Sequence, residues 1–100
     1  MVCRVAITPE ARRDVSEIQR YIASDSVIAA QRFTSLLRSK TKILVSHPEI
    51  GRVVPEIGNR AVRELIVGNY RLIYEVNFLN KQIEVLRYWH AARGIPKIRS

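Results

Sequence analysis

The segment Val62–Gly94, VRELIVGNYRLIYEVNFLNKQIEVLRYWHAARG, holds three successive runs in which apolar and polar residues alternate. Gly68-Asn69 joins the first two, and a polar turn around Asn77–Lys81 joins the second to the third. A period of two sends successive side chains to opposite faces, and tight turns between such runs make neighbouring strands antiparallel. The segment therefore predicts a meander with strands near 61–67, 70–77 and 82–89. A meander buries one face and leaves the other wet. Arg63, Arg71, Arg87, His90 and Arg93 are threaded through it, so cations on the wet face form a candidate recognition surface.

Alternation also assigns the faces. Tyr70, Leu72, Tyr74 and Val76 make the more apolar set, which leaves Arg71, Ile73 and Glu75 on the open side. In the preceding run Leu65 and Val67 point inward with Arg63, and Val62, Glu64 and Ile66 point outward. In the last run Ile83 and Val85 point inward, which directs Leu86, Tyr88 and His90 outward. On this reading Arg71, Tyr88, His90 and Arg93 share one concave surface. Arg71 is equally well read as an ion pair with Glu75 or Glu84, and Tyr88 and Trp89 as core or rim.

Upstream, Cys3–Ile7 is short, apolar and partly β-branched, and reads as a first strand. Thr8-Pro9-Glu10 starts a helix: Thr as N-cap, Pro in the first turn, Glu near the positive end of the dipole. Ala11, Val15, Ile18 and Ile22 recur at helical spacing, with Arg12, Arg13, Asp14, Glu17 and Arg20 filling the polar positions. Asp25-Ser26 interrupts the pattern and caps a second helix with apolar positions Ala29, Ala30, Phe33, Leu36, Leu37, Ile43 and Leu44, ended by His47-Pro48. Glu49–Asn59 reads as a loop with a short edge strand at Arg52–Val54, and the basic tail Ala91–Ser100 as a poor candidate for regular structure. The predicted order is β-α-α-β-β-β: an α+β fold with a helical hairpin on one face of a small, mainly antiparallel sheet. The first strand then lies at an edge or beside the last.

A chain of 100 residues supports one domain spanning 1–100, and 17 basic against 9 acidic residues give a net charge of +8. That excess draws the chain to polyanions, whether nucleic acid or an acidic protein. Cys3 is the only cysteine, which excludes a disulfide framework and a thiolate metal cluster. No apolar run approaches the roughly 18 residues needed to cross a bilayer. The polar N-terminus does not read as a secretory leader, so the expected location is the cytoplasm, with no membrane partner.

The run Gly68–Tyr74 (GNYRLIY), followed by Ile83–Arg93 (IEVLRYWHAAR), resembles the RelE/ParE superfamily of toxin–antitoxin toxins. So do His47–Arg52 (HPEIGR) and Val62–Leu65 (VREL). The resemblance implies a small basic toxin of a type II toxin–antitoxin system, held inactive in a hetero-oligomer by a cognate antitoxin, with no cofactor or metal. RelE-like members cleave mRNA on the ribosome; there Arg71 would clamp the phosphate, and His90 or Arg93 would serve as acid. Val62 and Glu64 stand where well-known RelE members carry lysines, and a carboxylate facing a scissile phosphate opposes that chemistry. The long helical hairpin and the HPEIGR segment look more like the ParE branch, which poisons DNA gyrase. The resemblance then implies a docking surface, with Arg63, Leu65, Tyr74, Arg87 and Tyr88 as candidate binding residues.

Overall fold

The computed structural model describes residues 2–98. Strand β1 (Arg4–Ile7) leads directly into helix α1 (Pro9–Ala23), followed by α2 (Val27–Ile43), a two-residue strand β2 (Arg52–Val53), and the meander β3 (Val62–Val67), β4 (Tyr70–Asn77) and β5 (Gln82–His90). The capping chemistry read from the sequence sets both helix starts. The Thr8 hydroxyl accepts from the Ala11 amide at 3.2 Å, and the Ser26 hydroxyl accepts from the Ala29 amide at 3.1 Å. Thr8 Oγ1 also donates to the Val85 carbonyl at 2.8 Å, which ties the cap of α1 to the last strand.

The five strands lie in the order β1-β5-β4-β3-β2, with β1 parallel to β5 and the other pairs antiparallel. The first strand therefore sits at the edge, beside the last, as expected. Gly68 carries φ +58° at the first central position of the β3–β4 turn, which suits a hairpin turn with one left-handed residue. A Cβ at Gly68 would stand 3.2 Å from the Phe33 ring, so this turn is also where α2 meets the meander.

Two apolar layers flank the sheet. The larger, between sheet and helices, contains Ala11 and Ile18 of α1, Leu37 of α2, and Val67, Leu72, Tyr74, Val76, Ile83, Val85 and Tyr88 of the strands. This agrees with the inward assignment of Leu72, Tyr74 and Val76. The second lies on the opposite face and comprises Val54, Val62, Ile73 and Trp89, with Leu86 and Ile98 packed against it. The outer face is thus partly covered, not open. Leu36 also departs from its expected core position: it is 41% exposed on the outer side of α2.

Two local features produce this covering. The β4–β5 register passes from Ile73↔Arg87 to Tyr74↔Val85, so Leu86 has no partner and β5 carries a bulge. One extra residue reverses the facing of everything beyond it. Tyr88 consequently enters the helix-side core, 3% exposed, instead of pointing outward with Leu86. The second feature is the tail. A 3-10 turn at Ala91–Arg93 folds it back, Trp89 Nε1 donates to the Gly94 carbonyl at 3.2 Å, and the Arg87 guanidinium donates to the Lys97 carbonyl at 3.2 Å. Beyond that one short turn the described tail has no regular structure, as its composition suggests, yet Pro96 is buried and Ile98 packs against the outer-face cluster; Arg99 and Ser100 lie outside the described residues.

Burial ranks the stability effects. Leu37 is 2% exposed, so Leu37→Ala should cost about 2–5 kcal/mol, and Trp89→Ala about 3–5 kcal/mol. Leu36→Ala should stay within about 0.5 kcal/mol. Urea unfolding monitored by circular dichroism measures all three; equal losses at residues 36 and 37 would contradict the packing described.

Candidate functional site

Buried charge is concentrated on the outer face. Glu64 of β3 is 1% exposed and Arg71 of β4 is 7% exposed. The Arg71 Nε donates to one Glu64 oxygen, while its two terminal nitrogens donate to both oxygens of Glu56 at 2.9 and 2.8 Å. The other Glu64 oxygen accepts from the Arg52 Nε at 2.7 Å. Charged groups tolerate burial only when paired and hydrogen-bonded, and here each is. Two cations face two carboxylates, so the cluster is neutral overall. Each of the three guanidinium nitrogens of Arg71 is engaged, and the Glu56 hydrogen bonds raise its already high pKa further.

The remaining sequence-predicted residues separate into distinct places. Arg63 points to the helix side, as expected, where it donates to the Gly51 carbonyl at 3.0 Å and pairs with Glu49 at 3.7 Å. Tyr74 is fully buried, with its hydroxyl accepting from the Gly51 amide at 2.9 Å, so its side chain offers no surface to a partner. A Cβ at Gly51 would lie 2.6 Å from the Glu64 carbonyl oxygen, so only glycine fits this approach. Leu65 packs half-buried against the helix-side core. Tyr88 is also core, its hydroxyl sharing a 2.7 Å hydrogen bond with Thr41.

Arg87 is held by Asp14 of α1 through two bonds of 2.8 and 2.9 Å, and the same carboxylate accepts from the Tyr88 amide at 3.0 Å. The Asp14 hydrogen bonds raise the Arg87 pKa. Asp14 is 5% exposed, although sequence reading placed it among the polar positions. Its spacing was informative: Ala11, Asp14 and Ile18 stand at i, i+3 and i+7 on one helical face.

Arg71, Tyr88, His90 and Arg93 therefore do not share one surface. Arg71 lies on the outer face, whereas Tyr88, His90 and Arg93 line a cleft between α1 and the end of the sheet with Glu17, Tyr21 and Tyr70. The bulge is the cause, since it turns Tyr88 and His90 to the helix side. Sequence reading missed Glu56, whose loop position carries no periodic signal, and Tyr21, which lies in the last turn of α1 with 76% exposure. Among the described residues, no three His, Cys, Asp or Glu side chains come together as a metal site, and no helix is long and apolar enough to cross a membrane.

The network makes its own predictions. Glu64→Ala would strip both arginines of a shared buried partner and should cost about 3–5 kcal/mol in urea unfolding. Glu56 has its pKa lowered from 4.5 to about 2, chiefly by the Arg71 hydrogen bonds. A folded-state pKa below the unfolded one gives stability that is present above pH 4.5 and is lost as pH falls towards 2. Glu56→Gln should flatten the loss of stability across that window; an unchanged acid profile would show that the pair contributes nothing.

The model of the ParE toxin of type II toxin–antitoxin systems (parDE) matches residues 5–95. A search of curated proteins finds no match. Among solved structures, the chain is similar to one from a chromosomal ParDE system of P. aeruginosa, with a TM-score of 0.72 at 20% identity, over 89% of this chain and 96% of that one. It is similar to a chain of the RelBE2 toxin–antitoxin complex of Mycobacterium tuberculosis, with a TM-score of 0.58 at 22% identity, over 90% and 99% of the two chains. It also resembles one from the RelE–RelB complex of Pyrococcus horikoshii OT3, with a TM-score of 0.56 at 22% identity, over 94% and 100%. These likenesses share the fold built above, a helical hairpin on one side of a five-stranded sheet. With nine-tenths of its length matched by the family model, the chain belongs to the ParE toxin family of type II toxin–antitoxin systems.

Proposed function

We propose that this chain acts by docking to DNA gyrase and blocking it, not by cutting RNA, and that a cognate antitoxin neutralises it in a hetero-oligomer. The observation that carries this reading is the state of Arg71. Phosphate chemistry without metal needs an accessible cation that gains strength as charge builds on the phosphorus. Arg71 is 7% exposed, and its three donor nitrogens are committed to Glu56 and Glu64. A phosphate approaching it would face the Glu56 carboxylate, whose side chain is 31% exposed against 8% for Arg71, and like charges at that range repel. His90 and Arg93, the other two residues expected of a nuclease, lie in a separate cleft that Arg71 does not line.

The higher TM-score of the ParDE structure supports the same branch, and the three similar structures come from ParDE or RelBE systems, which supports an antitoxin partner. With Tyr74 and Tyr88 buried, the binding residues expected from the resemblance that still offer surface are Arg63, Leu65 and Arg87, all half-buried. A net charge of +8 favours an acidic antitoxin and adds electrostatic attraction to its capture.

The purified protein should inhibit gyrase supercoiling of plasmid DNA and leave mRNA intact on programmed ribosomes. Cleavage of mRNA in the A site, abolished by Arg71→Ala or His90→Ala in a folded variant, would overturn the proposal.

A further inference from the structure

The cleft between α1 and the end of the sheet encloses about 290 Å³, on the scale of a single nucleotide. Its floor is apolar, formed by Ile18 at 5% and Tyr88 at 3% exposure. Around the rim stand Glu17, Tyr21, Tyr70, His90 and Arg93. Among the described residues, the Glu17 carboxylate, the Tyr21 and Tyr70 hydroxyls and the His90 Nε2 have no hydrogen-bond partner. The packed core spends its polar groups carefully, and Asp14 beside them satisfies three donors. Unspent groups converging on one concave surface mark a ligand site.

The chemistry of the rim narrows the ligand. Tyr70 is wedged between Phe33, with centroids 5.4 Å apart, and His90, edge-on at 4.9 Å, so the aromatic wall is fixed before anything binds. The His90 Nδ1 accepts from the Ala92 amide at 3.1 Å, which puts the proton of the neutral ring on Nε2, as a donor. Burial, with the neighbouring Tyr21, pushes the Tyr70 phenol above its ordinary pKa, so it too remains a donor. Arg93 also lines the cleft, and its guanidinium carbon lies 4.0 Å from the centre of the Trp89 ring. A wall of rings takes a flat ligand, Arg93 and His90 take an anionic group, and the Glu17 carboxylate takes a pair of adjacent N–H donors. A basic side chain fits poorly beside Arg93, and a bare phosphate fits poorly beside Glu17.

We propose that this cleft binds a guanine nucleotide, with Glu17 accepting from the guanine N1–H and N2–H groups, the base against Tyr21, Tyr70 and His90, and the phosphate at Arg93. Guanine is the base whose Watson–Crick edge presents two neighbouring donors; adenine presents an acceptor at N1, which a carboxylate repels. The same chemistry is offered by a free nucleotide and by an exposed guanine in a single strand, where bases stack on aromatic side chains and present that edge. This site lies apart from the Arg71 cluster and does not depend on gyrase being the target.

The test is an amide-resolved NMR titration of the full chain with guanosine 5′-monophosphate, adenosine 5′-monophosphate, and two short single-stranded oligonucleotides differing by one guanine-to-adenine change. Shifts should concentrate at Glu17, Tyr21, Tyr70, His90 and Arg93, with guanine forms bound about tenfold or more tightly than adenine forms. Glu17→Gln should remove that preference while leaving the spectrum outside the cleft unchanged, since Glu17 is exposed. Arg93→Ala should weaken both monophosphates while keeping the preference for guanine over adenine. Saturation by the monophosphate identifies a free nucleotide; response to the guanine strand alone identifies an exposed base in a strand. Absence of shifts at these residues with both guanine ligands, or equal affinity for guanine and adenine, would overturn the proposal.

Discussion

Arg71 is the constraint around which the outer half of the molecule is arranged. A guanidinium 7% exposed in the middle of a sheet is untenable unless its donors are met, and β3 and the loop before it are shaped to meet them. Glu64 comes from the neighbouring strand one register step away, where Ile66 pairs with Arg71 and Glu64 with Ile73. Glu56 comes from the β2–β3 loop, anchored by the buried Val54, whose carbonyl accepts from the Ile57 and Gly58 amides. The same loop delivers Val54 to the small core with Val62, Ile73 and Trp89. Ion pairs and apolar packing thus close the outer face together.

A comparable economy governs the other end of the sheet. Where β1 stops at Ile7, β5 loses its parallel neighbour, and its next amides need new partners. Asp14 reaches across from α1 to take the Tyr88 amide while clamping Arg87. The bulge at Leu86 sits at this handover, and Thr8 Oγ1 approaches the Leu86 carbonyl at 3.1 Å. Helix start, strand end and bulge form one joint. Its consequence is the cleft: His90 and Tyr88 turn towards α1, and the hollow they line with Glu17 and Tyr21 exists because they do.

What was legible in the sequence was what is encoded locally. Thr8-Pro9, Ser26 and Gly68-Asn69 each settle an element boundary through their own hydrogen bonds or dihedral freedom, and the period-two runs gave β3 and β4 their correct faces. The tail and the far half of β5 were not legible. A bulge is one unpaired residue that leaves no trace in the alternation until its partner strand is known, so Tyr88 and His90 were placed on the wrong side. Arg71 was rightly placed on the outer face, but its partners were sought in Glu75 of its own strand and Glu84 of the next. Glu56 lies in an aperiodic loop, and nothing in the chain announces that it returns to a strand residue. The tail was read only as a poor candidate for regular structure, and its packing was hidden because its anchors are backbone carbonyls, accepting from Trp89 and Arg87, which composition does not reveal.

The two regions divide the chemistry that a phosphate-cleaving site would have to combine: a sealed cation on one face, free acid–base and aromatic groups in the cleft. The central claim is that Arg71 is a structural ion pair and not an anion receptor. The side-chain Nε–H resonance of Arg71, followed while inorganic phosphate is added to the folded protein, tests it most directly. A slowly exchanging signal that keeps its position throughout is the result expected of a fork locked by Glu56 and Glu64. A saturable displacement of that signal would mean that the carboxylates yield to phosphate, and the account would fail.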